Sequence, residues 1–310
     1  SAGMRTAVSI YILIPLLLVP QLILGGAMIK FDDLHKSFTR KVYVPVIGDV
    51  MATRWAYEAL CVEQFRSNAF EKPFFDYDMK LSQAEWNASF LVPTLKVKVD
   101  ECVAAGLDPE YREYAEENFV KLNHHLPLLA EISGIKPGSW MKSMNYSGFT
   151  NAAAVNAKLY LDSIRTYLRK DIRTWTYRRD SVYESRAEKI GEGTLLRLRE
   201  RDYNDRLADI VLNRLATNKI YESERRLIQK SDPIYMPPGS KYGRAHFFAP
   251  YKMIGNMRIG TLFFNISMVW LMTMGLFVTL YYNLLKKFVF WLGRFKLPIW
   301  RKFGRDLLQI

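Results

Sequence analysis

The stretch Ala7–Ile29 reads AVSIYILIPLLLVPQLILGGAMI, and the stretch Ile259–Leu285 reads IGTLFFNISMVWLMTMGLFVTLYYNLL. Neither contains a charged residue, and each is long enough to cross a hydrocarbon core of about 30 Å as an α-helix. A long, mostly polar segment separates them. The sequence therefore predicts two transmembrane helices and a function performed at or across a membrane.

A cleaved signal peptide is the alternative interpretation of the first stretch. Its apolar run is long, Pro15 and Pro20 interrupt it, and no small-x-small cleavage site precedes the polar region. These features favour a retained transmembrane helix.

The residues after the second span predict the orientation of the chain. The segment Lys286–Ile310 is rich in lysine and arginine and has one acidic residue, Asp306, and basic flanks stay in the cytoplasm. Its aromatic residues alternate with cations, which is typical of a helix lying on the inner leaflet. The membrane-interface residues predicted here are Trp291, Trp300, Lys286 and Lys287. Both termini are expected to be cytoplasmic in the inner membrane, and the long polar segment extracytoplasmic.

Composition excludes several classes of function. The net charge of +13 is divided between this tail and the polar segment, so membrane lipids rather than nucleic acid are the expected partner. Cys61 and Cys102 form no metal-ligand spacing, and they are expected to be two free thiols, with a single bridge as the alternative. Phosphate loops, dinucleotide turns and hydrolase motifs are missing from the sequence. We therefore expect no enzyme activity, cofactor or metal site in this chain.

The polar segment reads as a series of helices. Asp49 is expected to cap a helix that runs through Phe65, and Ser82 with Glu85 forms a capping box for another that is bent or split at Pro93. Asp108 followed by proline predicts a third helix, which Gly134 ends.

A long antiparallel helical hairpin is predicted for the next residues. Apolar residues spaced three and four apart run from Thr150 to Ile190, and again from Thr194 to Ile228, with glycines between the two runs. Asp232–Pro250 reads as a loop, and no strand of useful length is expected. The predicted fold is an all-α membrane protein with two transmembrane helices flanking a mainly helical extracytoplasmic domain. Its expected segments are a first transmembrane helix (1–30), a connector with a membrane-proximal helix (31–80), the helical domain (81–250), a second transmembrane helix (251–285) and a basic amphipathic tail (286–310).

Arg54 and Glu58 are the candidate functional residues. At four residues apart they share one face of a helix, next to Trp55 and Tyr57. An ordinary surface ion pair is one interpretation. The other is a structural or gating role, since charge near the membrane is costly and tends to be functional.

These residues also carry a family resemblance. Ile14-Pro15 and Val19-Pro20-Gln21 through Gly25-Gly26, followed by Arg54-Trp55-Ala56-Tyr57-Glu58-Ala59-Leu60, resemble the permease half of type-2 ABC exporters of the G-subfamily architecture. In that family the fifth span precedes a re-entrant helix with an Arg-[Trp/Tyr]-x-[Phe/Tyr]-Glu motif. An extracytoplasmic loop and the sixth span follow.

The resemblance implies assignments for both ends of the chain. Ala7–Ile29 would be the fifth span, Asp49 to about Phe70 the re-entrant helix, and Ile259–Leu285 the sixth span. Arg54, Trp55, Tyr57 and Glu58 would be its gating residues.

It also implies partners, namely a nucleotide-binding domain that uses ATP and Mg²⁺, the remaining transmembrane helices, and a dimer of permease halves. The chain would then be the C-terminal part of a longer protein or work with a partner. The family's loop before the last span is much shorter than here, so the helical domain would be an insertion.

A second class of protein fits the same topology. A two-span scaffold or regulator, such as a polysaccharide chain-length regulator or a sensor stalk, also places a helical hairpin outside the cytoplasm. The regulators usually have prolines at the second span, and Ile259–Leu285 has none.

Overall fold

Helices account for most of the described chain. The structure is a computed structural model, and it describes residues 7–29, 31, 43–106, 108–284 and 287. These residues fall into two units. The first unit draws on Ser1–Leu60, Ser240–Ala245 and Tyr251–Ile310, and the second draws on Cys61–Gly239 and His246–Pro250.

Two apolar helices belong to the first unit. Helix α1 spans Ala7–Leu24 and α10 spans Thr261–Tyr281. Among the described residues, α10 is the one helix long and apolar enough to cross a membrane, and its 21 residues correspond to about 30 Å. The apolar stretch of α1 whose side chains are described, Ile14–Leu24, is shorter. The second predicted span is thus present as a helix of suitable length, while membrane crossing by α1 stays a prediction.

The predicted helix after Asp49 forms in two pieces. Helix α2 spans Val46–Asp49 and α3 spans Ala52–Arg66. Asp49 ends α2 and does not begin α3 as expected. Its carboxylate instead lies 3.8 Å from Nη2 of Arg54 and 3.4 Å from Nη2 of Arg244.

Helices α1 and α3 pack closely at a glycine. The Thr53 hydroxyl donates to the carbonyl oxygen of Gln21 at 2.8 Å. A Cβ on Gly25 would lie 2.6 Å from that same carbonyl oxygen and 2.8 Å from Oγ1 of Thr53, far inside van der Waals contact. Only glycine therefore fits at this crossing.

A short hairpin precedes α10. Strands β3 (Tyr251–Ile254) and β4 (Met257–Gly260) pair antiparallel, with Lys252 opposite Ile259. Gly255 in the connecting turn has φ of +60°, which favours glycine. Residues 251–260 are thus strand and turn, and the helix begins at Thr261 rather than at Ile259.

The second unit is built from four longer helices. They are α4 (Phe75–Trp86), α5 (Val92–Ala105), α6 (Arg112–Ser133) and α7 (Asn151–Ile190). Helix α7 packs along α4 and α5, and α5 packs on α6. The core is apolar, and its fully buried side chains include Leu95, Leu122, Leu126, Leu129, Leu161 and Ile164.

Several predicted helix ends in this unit are confirmed. The Asp108 carboxylate accepts from the Glu110 N–H, and Gly134 ends α6 with φ of +73°. Thr150 caps α7 by accepting from the Ala153 N–H at 3.2 Å. A π-helical turn, Asn87–Leu91, ends two residues before Pro93. The helix is thus irregular where the sequence predicts a bend or split, because proline has no N–H to donate within a helix.

The predicted Ser82 capping box is wrong. Ser82 lies inside α4, which begins seven residues earlier at Phe75, and its hydroxyl donates to Oδ2 of Asp232 at 3.3 Å. The capping pattern matched by chance, because both Ser82 and Glu85 lie within α4.

The predicted long helical hairpin is confirmed in its first arm, α7, whereas its second arm ends much earlier than expected. The residues after α7 form α8 (Glu192–Asp202), α9 (Asp205–Val211), and an antiparallel pair of strands, β1 (Ile220–Glu222) and β2 (Leu227–Gln229). Asn204 interrupts the apolar pattern because its side chain caps α9 by accepting from the Leu207 N–H. The strands here and at β3–β4 are only three or four residues long, and the fold is mainly helical as predicted.

Candidate functional site

Arg54 and Glu58 meet on one face of α3, as their spacing predicts. Nη2 of Arg54 lies 3.6 Å from Oε2 of Glu58. Both side chains are buried, with exposed fractions of 2% and 0%. The interpretation as an ordinary surface pair is therefore wrong, because both side chains are buried. Burying an ion pair also carries a desolvation cost that a surface pair avoids.

Two residues far along the chain complete this site. Nζ of Lys252 on β3 donates to Oε1 of Glu58 at 2.7 Å. Nδ2 of Asn265 on α10 donates to Oε2 of Glu58 at 2.8 Å and to the carbonyl oxygen of Trp55 at 3.0 Å. Arg54, Glu58, Lys252 and Asn265 are called the Glu58 cluster below. It links α3, β3 and α10 through a single carboxylate.

The neighbours of Glu58 favour the ionised form of its buried carboxylate. Burial acts to raise the pKa of Glu58, but the positive charges of Arg54 and Lys252 and the hydrogen bonds from Lys252 and Asn265 together hold it below its ordinary value. A charged, fully hydrogen-bonded carboxylate is expensive to separate from these partners, so the cluster favours one fixed arrangement of its three elements.

Asp49 and Arg244 form a further ion pair next to the Glu58 cluster. Nη2 of Arg244 donates to the Val44 carbonyl oxygen at 3.0 Å and to Oδ2 of Asp49 at 3.4 Å. Burial raises the pKa of Asp49, and the charges of Arg54 and Arg244 offset only part of this. Together with the Glu58 cluster, this gives three basic side chains, those of Arg54, Arg244 and Lys252. They lie next to two carboxylates, those of Asp49 and Glu58.

Trp55 joins the site through its backbone and ring. Its carbonyl oxygen accepts from Asn265, and its indole N–H donates to the Asp49 carbonyl oxygen at 2.8 Å. The guanidinium of Arg54 lies 3.8 Å from the centre of its ring. Tyr57, also a predicted site residue, is half-buried on α3 beside Glu58 in sequence.

The predicted membrane-interface residues fall mostly outside the described part of the chain. Trp291, Trp300 and Lys286 lie outside it. Lys287 is described and exposed, and its backbone N–H donates to the Asn283 carbonyl oxygen at 3.1 Å.

Sequence reasoning missed Lys252 and Asn265. Asn265 is an amide within an otherwise apolar helix, and such residues usually face a polar partner. That signal identifies it as a site residue, but it does not identify Glu58 as the partner. Lys252 carries no comparable signal, because a lysine before a membrane helix is ordinary.

A second buried acidic group lies in the second unit. Oε1 of Glu71 accepts from the Tyr235 hydroxyl at 2.9 Å, and Oδ1 of Asp78 accepts from Nε of Arg179 at 2.6 Å. Burial raises the pKa of Glu71 to about 7, with the negative charge of Asp78 adding to it, while Tyr235 and Arg179 act in the opposite direction. Glu71 therefore changes charge near neutral pH.

Thiols and metal ligands do not form a further centre in the described segments. Cys61 and Cys102 are both buried and free, as expected. No group of three or more metal-ligating side chains occurs among the residues that the structure describes.

Comparison of the chain with protein-family models, with curated proteins and with solved structures found no significant match. The resemblance to ABC exporter permeases thus stays a prediction that depends on the motifs around Pro15 and Arg54.

Proposed function

We propose that this chain is the permease part of an ATP-driven exporter, with α1 and α10 as its two transmembrane helices. The observation that carries the proposal is the Glu58 cluster. A carboxylate whose neighbours favour its ionised form is buried against Asn265 of a helix long enough to cross a membrane, and intramembrane or membrane-proximal charge usually marks a transport path or a gate.

The cluster suggests how such a gate works. Glu58 binds Lys252 and Asn265 at the same time, so α3 is held against the beginning of α10. A path between these elements opens only when these contacts break or exchange together. The positions that the family resemblance assigns to gating, Arg54 and Glu58, are the ones at the centre of the cluster.

ATP hydrolysis is proposed to reside in a partner. The chain would receive the energy of ATP from a nucleotide-binding domain that holds ATP and Mg²⁺, and it would act with four further transmembrane helices and a second permease half. In this proposal the second unit is an extracytoplasmic insertion, and both termini are cytoplasmic in the inner membrane.

A two-span scaffold or sensor stalk remains the alternative proposal, although the second arm of its hairpin is short. It depended on a long antiparallel hairpin of helices, and α8 ends at Asp202 after 11 residues. No observation within the described residues favours it over the exporter.

A double substitution tests the gate by removing the Glu58–Lys252 pair while Arg54 keeps Asp49 as an acidic neighbour, 3.8 Å away. Glu58→Gln with Lys252→Gln removes both charges, and we expect transport-coupled ATP turnover of the complete reconstituted transporter to fall at least fivefold, the lower end of usual coupling energies. The matched control is Arg112→Gln with Glu116→Gln, an exposed pair with the same spacing as Arg54 and Glu58. Equal turnover in both double variants contradicts the gating role. A natural assembly that hydrolyses no ATP contradicts the exporter.

The topology is testable by labelling. In a background without Cys61 and Cys102, a cysteine at Ser181, which is exposed on α7, should react with a membrane-impermeant maleimide in intact cells. A cysteine at Gln309 should react only after permeabilisation, because the basic tail is expected inside. Reaction at Gln309 but not at Ser181 in intact cells would reverse the orientation.

A further inference from the structure

A pocket of about 270 Å³ opens beside the Glu58 cluster, entirely within the first unit. Its polar wall is formed by Asp49, Arg54 and Arg244. Its apolar wall includes Trp55 and two residues of α10, Phe264 and Met268. The pocket is at the small end of the roughly 300–1,000 Å³ usual for ligand sites, so it fits a small group or one end of a larger molecule.

The polar wall is suited to an anion. Arg54 and Arg244 place two positive charges on it against the single negative charge of Asp49. Arg244 lines the pocket and keeps about a third of its side chain exposed, at 35%. A guanidinium binds phosphate in a bidentate manner, and phosphate is the charged group that membranes supply in quantity.

The apolar wall continues along α10 beyond the pocket. Phe264 and Met268 are four residues apart, and the same helix face leads on to Leu271 and Gly275. Leu271 is exposed, and within the described part of the chain no atom lies within 4 Å of where a Cβ on Gly275 would be. From Phe264 to Gly275 the helix rises about 16 Å, a length that suits an acyl chain.

The position of the pocket agrees with a ligand from the membrane. Phe264 and Met268 lie in the first two turns of α10, and the end of a transmembrane helix is where lipid headgroups are found. A charged wall at this level and an exposed apolar helix face leading away from it match the two halves of an amphiphile.

We propose that this pocket binds the headgroup of an anionic phospholipid, with the phosphate at Arg244 and one acyl chain along the Met268–Gly275 face of α10. The site is independent of the proposed transport function. It would equally serve a membrane protein that transports nothing.

The test measures lipid binding by the full chain in detergent, by native mass spectrometry with dioleoyl phosphatidylglycerol and dioleoyl phosphatidylcholine as probes. Arg244→Gln should weaken phosphatidylglycerol binding about fivefold to tenfold, since one arginine near a membrane surface contributes about 1 kcal/mol or more. Arg258→Gln is the matched control. It removes the same charge from β4, where Arg258 is exposed and does not line the pocket.

Two uncharged variants separate the parts of the site. Met268→Trp fills the pocket and should weaken phosphatidylglycerol binding as strongly as Arg244→Gln does. Gly275→Leu places a large side chain on the helix face assigned to the acyl chain, so it should weaken binding of the dioleoyl lipid but leave that of dihexanoyl phosphatidylglycerol unchanged. Met268→Trp and Gly275→Leu test the proposal even if Arg244→Gln folds poorly.

Three outcomes would overturn the proposal. One is equal affinity for phosphatidylcholine and phosphatidylglycerol. The second is an effect of Arg258→Gln as large as that of Arg244→Gln, which indicates general surface charge. The third is displacement of the lipid by soluble glycerol 3-phosphate at equal concentration, which indicates a soluble anion as the true ligand. Failure of the ATP turnover test leaves all of these measurements unaffected.

Discussion

Replacing Lys252 with methionine is expected to lower the free energy of unfolding by about 3–5 kcal/mol, the usual cost of removing one partner of a buried ion pair. Glu58 would remain fully buried and lose its 2.7 Å hydrogen bond from Nζ of Lys252. Arg54, at 3.6 Å, compensates for only part of that loss. The measurement is denaturant unfolding of the full chain in detergent, with hydrogen exchange of β3 and β4 to locate the effect.

A matched control and a double variant make this result specific. Arg258→Met changes an exposed cation on the neighbouring strand and should alter stability by less than about 0.5 kcal/mol. Lys252→Met combined with Glu58→Leu removes both charges of the pair but also takes Glu58 from Arg54. We expect the double variant to be less unstable than the sum of the two single variants, because neither Lys252 nor Glu58 is then left without the other. If the double variant is as unstable as the sum of its single variants, the two residues are not coupled and the cluster has been misread.

Glu71→Gln is expected to stabilise the protein above neutral pH and to leave it unchanged in acid. The pKa of Glu71 is about 7 in the folded protein against 4.5 ordinarily, so the folded state holds this proton more tightly. Its stabilising contribution is complete below pH 4.5 and is lost as the pH rises through 7. The difference between these pKa values corresponds to about 3 kcal/mol, and glutamine, which stays neutral, avoids that loss.

The readout is the unfolding free energy at pH 4 to 8, with hydrogen exchange of α4 and α7 to follow the second unit. Glu113→Gln serves as the control, because Glu113 is exposed in the same unit and should leave the pH profile of the native chain unchanged. The charged groups that face Glu71 are Asp78 and Arg179, with Tyr235 and Tyr203 beside them. A parallel pH profile for Glu71→Gln and the native chain would show that the pKa of Glu71 is the same in the folded and unfolded states.

Local signals in the sequence predicted local structure well. The face shared by Arg54 and Glu58 follows from helical geometry alone, and the ends of α6 follow from a proline after a cap and from a terminal glycine. These features depend on residues within one or two turns of each other, so no knowledge of the packing is needed.

The remaining features depend on contacts across the chain. Lys252 reaches Glu58 from 194 positions away, and Asn265 from 207, so neither partner can be read from spacing. The predicted second helix is interrupted at Asn204, whose side chain caps a new helix, α9. The apolar spacing continues across this position, so it does not reveal the interruption. Strands β3 and β4 are only four residues long, too short to show an alternation that differs from the start of an apolar helix.

The hairpin that leads into α10 has a consequence for membranes of different thickness. Gly260 is the last residue of β4 and Thr261 the first of α10, so no linker lies between strand and helix. Moving α10 along its axis by one turn, about 5.4 Å, would pull β4 past β3 and separate Lys252 from its place opposite Ile259. Since Lys252 is fixed by Glu58, sliding is costly. If α10 crosses the membrane as proposed, we expect it to adjust to thinner or thicker bilayers by tilting, because the strand register opposes movement along its axis.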